Sequence, residues 1–117
     1  MTEPLSILPA QQRKFGFVEW FRPGEYDRAK AALPDICASG ASYLRTHLSW
    51  AEYLAPGGEE WFDWLIPHLA SQIEILPCIH YTPPSMSRTG RSSGAPRNLK
   101  SYADFVDHIL TRYGKHF

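Results

Sequence analysis

The sequence has no excess of charge of one sign: 12 Lys and Arg stand against 12 Asp and Glu, giving a formal net charge of zero and a pI near 7.0. Tracking phosphates or lying on an anionic membrane needs a segregated basic face. The charges here are interspersed, so no nucleic-acid partner and no membrane partner are expected. Long hydrophobic runs are missing as well, since no apolar stretch approaches the roughly 18 residues of a membrane span. Met1 to Lys14 lacks the charged-then-apolar layout of a secretory signal, and the expected location is the cytoplasm. Cysteine is scarce. Cys37 and Cys78 lie far apart with no Cys-x-x-Cys, which argues against a disulfide framework or a zinc knuckle, and both are read as buried free thiols. No cofactor is expected.

What is present suits one small domain. Hydrophobic residues are 44% and charged residues 21% of 117, close to globular averages and enough for a core. Residues 1–14 hold Pro4 and Pro9 without periodicity and read as a loose lead-in. From Phe15 the chain repeats one plan. Phe15 to Phe21 is short and aromatic and stops at Arg22-Pro23-Gly24, as a strand closed by a turn does. A helix follows from Tyr26, with Ala29, Leu33, Ile36 and Cys37 at three- and four-residue steps, and Gly40 stands where a left-handed residue is wanted. Ser42 to Trp50 reads as the second strand, with a turn at Pro56-Gly57-Gly58 and a helix over about 59–72. Pro34 and Pro67 are flaws inside these helices.

Ile73 to Tyr81 is a nearly continuous apolar run, the pattern of a strand covered on both faces of a parallel sheet. Residues 82–97, rich in Pro, Ser and Gly, form a long loop. Asn98 then caps a helix whose face is Tyr102, Phe105, Val106, Ile109, Leu110 and Tyr113. Strand starts near 15, 43 and 73 give a period of about 30 residues, and right-handed crossovers make the strands parallel neighbours. Eight such units come to about 240 residues, close to a (β/α)8 barrel. The α/β fold class expected is therefore three consecutive βα units of a parallel TIM barrel, over about 15–40, 42–72 and 73–117. Three strands leave two unpaired edges, which points to a truncated reading frame, an expressed fragment, or a homo-oligomer formed through those edges.

In parallel α/β architectures chemistry gathers at the carboxyl ends of strands. Here those ends carry Glu19, Trp20, Phe21 and Arg22; Arg45, His47, Ser49, Trp50 and Glu52; and His80, Tyr81 and Thr82. Aromatic planes beside Arg, His and carboxylates suit a sugar, whose C–H faces stack while its hydroxyls need charged partners. The candidate substrate-binding residues are Trp20, His47, Trp50, His80 and Tyr81. Trp20 and Trp50 have packing under a helix as their alternative. Arg45 lies inside a strand of apolar and small residues, where a buried guanidinium needs carboxylates or a polar cavity. His47, two residues on, shares its face.

The residues also match a family pattern. Gly40-Ala41-Ser42-Tyr43-Leu44-Arg45-Thr46-His47-Leu48-Ser49-Trp50 resembles the second strand of retaining (β/α)8 glycoside hydrolases of the clan A type, with their Gly-x-x-x-x-Arg-x-x-x-x-Trp. Leu76-Pro77-Cys78-Ile79-His80-Tyr81-Thr82-Pro83-Pro84 resembles the third strand in the β-xylosidase and α-L-iduronidase branch. Arg112-Tyr113-Gly114 is similar to the close of the third helix. The resemblance implies a carbohydrate (glycoside) substrate for the full-length form, Arg45 as support for the nucleophile, and Trp20, His47, Trp50 and His80 along the sugar subsite.

It also implies what is missing. Retention takes two carboxylic acids about 5–5.5 Å apart. In the family one lies in an Asn-Glu-Pro motif after strand four and the other ends strand seven. The sequence has no Asn-Glu pair, and Phe117 falls where strand four is expected to begin. No catalytic residue is therefore expected in this chain, which should be inactive alone. Glu19 and Glu52 close neighbouring strands, but they are not expected to act as the pair. Competing classes are a metal-dependent barrel hydrolase using His47 and His80, with His68, His108 and His116 as surface residues, and a non-catalytic interaction module. Ser87 to Gly94 carries Arg88 and Arg91 without a P-loop ending and reads as a mobile basic loop.

Overall fold

A computed structural model describes residues 14–117, so the expected lead-in, Lys14 apart, lies outside the described residues. The chain forms β1 (Gly16–Val18), α1 (Tyr26–Ala38), β2 (Tyr43–Ser49), α2 (Trp50–Leu54), α3 (Gly58–Ala70), β3 (Glu74–His80) and α4 (Leu99–Tyr113). The strands make one parallel sheet in the order β1-β2-β3, as the period of the sequence predicts. Val18 pairs with Arg45, and Arg45 with Leu76. No described helix is long and apolar enough to cross a membrane.

The helices pack on one face of this sheet. Leu44, Leu48 and Ile75 are fully buried there against Ala29 and Leu33 of α1, Trp61, Phe62, Leu65, Ile66 and Leu69 of α3, and Phe105 and Ile109 of α4. The opposite face, which carries Val18, Arg45 and Leu76 in one row, has no helix of the described residues over it. Val18 is 61% and Leu76 47% exposed. This corrects the expectation for β3. Its apolar run is covered on one side, because all the described helices return to the same side.

Local signals account for most element ends. Gly40 adopts φ +84 directly after α1, the left-handed turn its position predicts. Asn98 Oδ1 accepts from the Lys100 amide at 2.9 Å and starts α4. Pro34 and Pro67 stay inside their helices. Each takes away a hydrogen bond to the residue four back, Lys30 or Asp63, and all four positions are exposed, so the freed carbonyls lie on the wet side.

Three boundaries differ from expectation. β1 stops at Val18 rather than Phe21, although the Glu19 amide still donates to the Arg45 carbonyl at 3.1 Å. Trp50 does not end β2 but opens α2, because the Ser49 hydroxyl accepts from the Glu52 amide at 3.0 Å and turns the chain into a helix. The loop after β3 is ordered, which corrects its reading as mobile. Ser87 bridges to Pro96, the Arg88 amide donates to Ala95 at 2.8 Å, the Arg97 amide donates to Met86 at 2.9 Å, and Ser87 is fully buried.

Candidate functional site at the carboxyl ends of the strands

The three strand ends converge on a cluster of rings. The Trp20 indole lies flat on the His47 imidazole, with centroids 5.0 Å apart and planes 10° from parallel. His80 meets the same indole edge-on at 4.9 Å, and His47 at 5.4 Å. Tyr81 stacks on His80 at 3.9 Å. Trp20, His47, His80 and Tyr81, four of the five substrate-binding candidates, are thus brought together.

Each is held by its element. Trp20 lies beyond β1, where Arg28 of α1 donates to its carbonyl at 3.0 Å, pairs with Glu19 at 2.8 Å and lies over the Phe21 ring. His47 and His80 follow from strand alternation and register, since Ser49 pairs with His80 and His47 with Cys78. Tyr81 takes φ +62, a left-handed conformation costly for a bulky residue. Its carbonyl accepts from the Ala51 amide at 2.8 Å, and next to it Thr82 donates twice into the following loop, from its amide to Ser92 and from its hydroxyl to Gly94. These bonds hold the strained turn.

The polar side of the cluster is the pair His47 and Glu52. His47 is 5% exposed, and its Nε2 lies 3.2 Å from the Phe21 carbonyl oxygen and 3.3 Å from Glu52 Oε2. A carbonyl only accepts, so Nε2 carries a proton and donates to it, which leaves Nδ1 buried without a partner. Glu52 Oε2 is also buried beside that bond with no hydrogen bond of its own. Burial pushes the Glu52 carboxyl above its ordinary value, against the pull of His47 and Arg22. The His80 imidazole is lowered by burial first, then by the charges of His47 and Arg45. Glu19 is held below the usual range by its hydrogen bond with Arg28. The two carboxylates therefore serve different partners and do not form a pair.

The remaining candidates lie elsewhere. Trp50 is 2% exposed and packs on Phe105 at 5.6 Å and on Tyr102, inside the core between α2 and α4. Of its two readings, packing under a helix is the one realised. Arg45 is exposed on the bare face, so its guanidinium carries no burial cost, and among the described residues it has no carboxylate within ion-pair reach. Its Nη2 donates to Cys78 Sγ at 3.6 Å. Among the described residues no group of three His, Cys, Asp or Glu is arranged to hold a metal ion. His108 is engaged by the Tyr53 hydroxyl at 2.9 Å, and His68 stacks on Trp64 at 4.6 Å.

Two participants were given no role in the sequence reading. Glu52 had a signal, because Ser49-Trp50-Ala51-Glu52 has the spacing of a capping box. In the structure its carboxyl turns to His47 instead of closing the box. Cys78, half-buried rather than buried, faces His80 by alternation along β3 and Arg45 by the register of β3 with β2. The fold and site together define a three-stranded parallel α/β unit with an aromatic and imidazole cluster at the carboxyl ends of its strands. No family model, curated protein or solved structure matches the chain.

Proposed function

We propose that this chain carries the first three βα units of a retaining (β/α)8 glycoside hydrolase. In this reading Trp20, His47, His80 and Tyr81 line a sugar subsite, and Arg45 supports a nucleophilic carboxylate supplied from outside these units. The observation that carries it is the convergence of four aromatic and imidazole side chains at the carboxyl ends of three adjacent parallel strands, where barrel chemistry is built. The bare sheet face agrees with it, being the side a closed barrel would turn inward. Neither carboxylate of a retaining pair is among the residues, so the 117-residue chain hydrolyses nothing alone.

Reading the locus beyond the codon for Phe117 tests the proposal. A strand with Asn-Glu-Pro within about 20 residues, following the barrel period, is the expected result. A stop codon there overturns the glycosidase reading, and release of nitrophenol from aryl glycosides by the purified chain overturns its inactivity. A second reading is favoured by the exposure of Val18 and Leu76 and by the free edges of β1 and β3. It is a non-catalytic interaction module that covers this face by self-association. Sedimentation equilibrium decides this one, with a dimer mass expected and a monomer at tens of micromolar against it.

A further inference from the structure

The bare face holds a second group of side chains, which meets the stacked rings at His80. Cys78 Sγ lies 3.7 Å from His80 Nδ1 and 3.6 Å from Arg45 Nη2, all three pointing to the side that no helix covers. We propose that Cys78 is a nucleophilic thiol site for soft electrophiles, with His80 as its base. A nucleophile is recognised by a base within hydrogen-bond reach, and a sulfur to nitrogen distance of 3.7 Å meets that for a thiol. Arg45, with no carboxylate partner among the described residues, sets a fixed positive charge beside the sulfur. Burial first, then the nearby His47 and Arg45, disfavour the charged form of His80 and so favour the neutral imidazole, which can accept a proton. Its ring is fixed between Trp20 and Tyr81.

The step balances without a cofactor. With an alkyl halide, the sulfur forms a bond to carbon, the carbon to halogen bond breaks, halide leaves, and the thiol proton passes to His80 Nδ1 and then to water. Cys37 is the internal control. It is also half-buried, but its Sγ donates to the Gln72 carbonyl at 3.8 Å, an acceptor that holds the proton on sulfur. Among the described residues no base or cation stands in hydrogen-bond contact with it.

The inference does not depend on the sugar reading, and its test involves no sugar. The native chain is treated with substoichiometric iodoacetamide, and the alkylated peptides are quantified by mass spectrometry over time. Cys78 is expected to react at least roughly tenfold faster than Cys37, the lower end of what a positioned base supplies. The difference should disappear in 8 M urea, where both thiols have the same surroundings. His80→Gln should slow Cys78 by a similar factor and leave Cys37 unchanged, Cys37 then reporting that the fold is intact. Equal native rates, or a Cys78 rate indifferent to His80→Gln while Cys37 is unchanged, overturn the proposal. Should His80→Gln fail to fold, Arg45→Gln with the same readout replaces it, since Arg45 is exposed and its loss leaves the core untouched.

Discussion

The two faces of the sheet are made by alternate residues of the same strands, yet they live in different solvents. On one, Leu44, Leu48 and Ile75 are sealed under α1, α3 and α4; on the other, Val18, Arg45 and Leu76 are open, and only toward the carboxyl ends do His47 and Ser49 become buried. A leucine on each face belongs to the same sheet and has a different energetic weight. Stability is therefore concentrated on the helix side, while the open side is free to carry reactive and binding groups.

The sharpest way to break this comparison is to truncate one leucine on each face. Leu48→Ala should cost about 2–5 kcal/mol, the range for a fully buried core leucine. Leu76→Ala should cost about 0.5 kcal/mol, the scale of surface changes. Both are read from urea unfolding midpoints. An equal cost would mean that the open face is covered in solution, as the self-association reading requires. Next in size is Trp20→Ala, which removes the indole from His47 and His80 and should lower stability by about 1 kcal/mol for the lost ring contacts. The imidazole C–H resonances of His47 and His80 should shift as ring-current shielding is lost, and unshifted His47 signals would contradict the stack.

The two titrating groups of the cluster sharpen the comparison further, with opposite signs. Glu52 is raised, so its contribution to stability is full below the ordinary value of 4.5 and declines as pH rises through its folded value. Glu52→Gln should remove that decline from a plot of unfolding midpoint against pH. His80 is lowered, so its contribution is full above 6.5 and is lost as pH falls through its folded value. A profile flat across both windows would refute the burial of this cluster.

The smallest effect belongs on the helix side. Arg112 holds Asp63 through two bonds of 2.7 and 2.6 Å, and the Tyr113 hydroxyl donates to the same carboxylate. Asp63 is held below 3.8 chiefly by Arg112, so the stability it adds is present above that value and lost as pH falls through the folded one. Asp63→Asn should lower the unfolding midpoint slightly at pH 7 and leave it unchanged at pH 2. The pair is partly exposed, which keeps the shift small.

Much of the fold is legible in the residues. The spacing of Ala29, Leu33 and Ile36, and of Phe105, Ile109 and Tyr113, marks the buried stripes of α1 and α4. The strand starts give parallel neighbours in order. The site was legible where it depended on strand ends, as for Trp20, His47, His80 and Tyr81. It was not legible for Trp50, because a cap four residues long, Ser49 to Glu52, outweighs strand propensity and swings the indole under α4. Nor was it for Cys78, whose partner Arg45 is brought to it across strands by register.

The sequence by itself determined the βα repeat, the α4 stripe and the turn at Gly40, since these rest on periodicity and on local backbone preference. Only the tertiary structure decided which face of the sheet stays open, which tryptophan joins the rings, and that Glu52 meets His47. Alternation along a strand creates two faces but does not say which one the helices will cover. That choice depends on where the two crossovers and α4 return, and contacts of long sequence separation fix it.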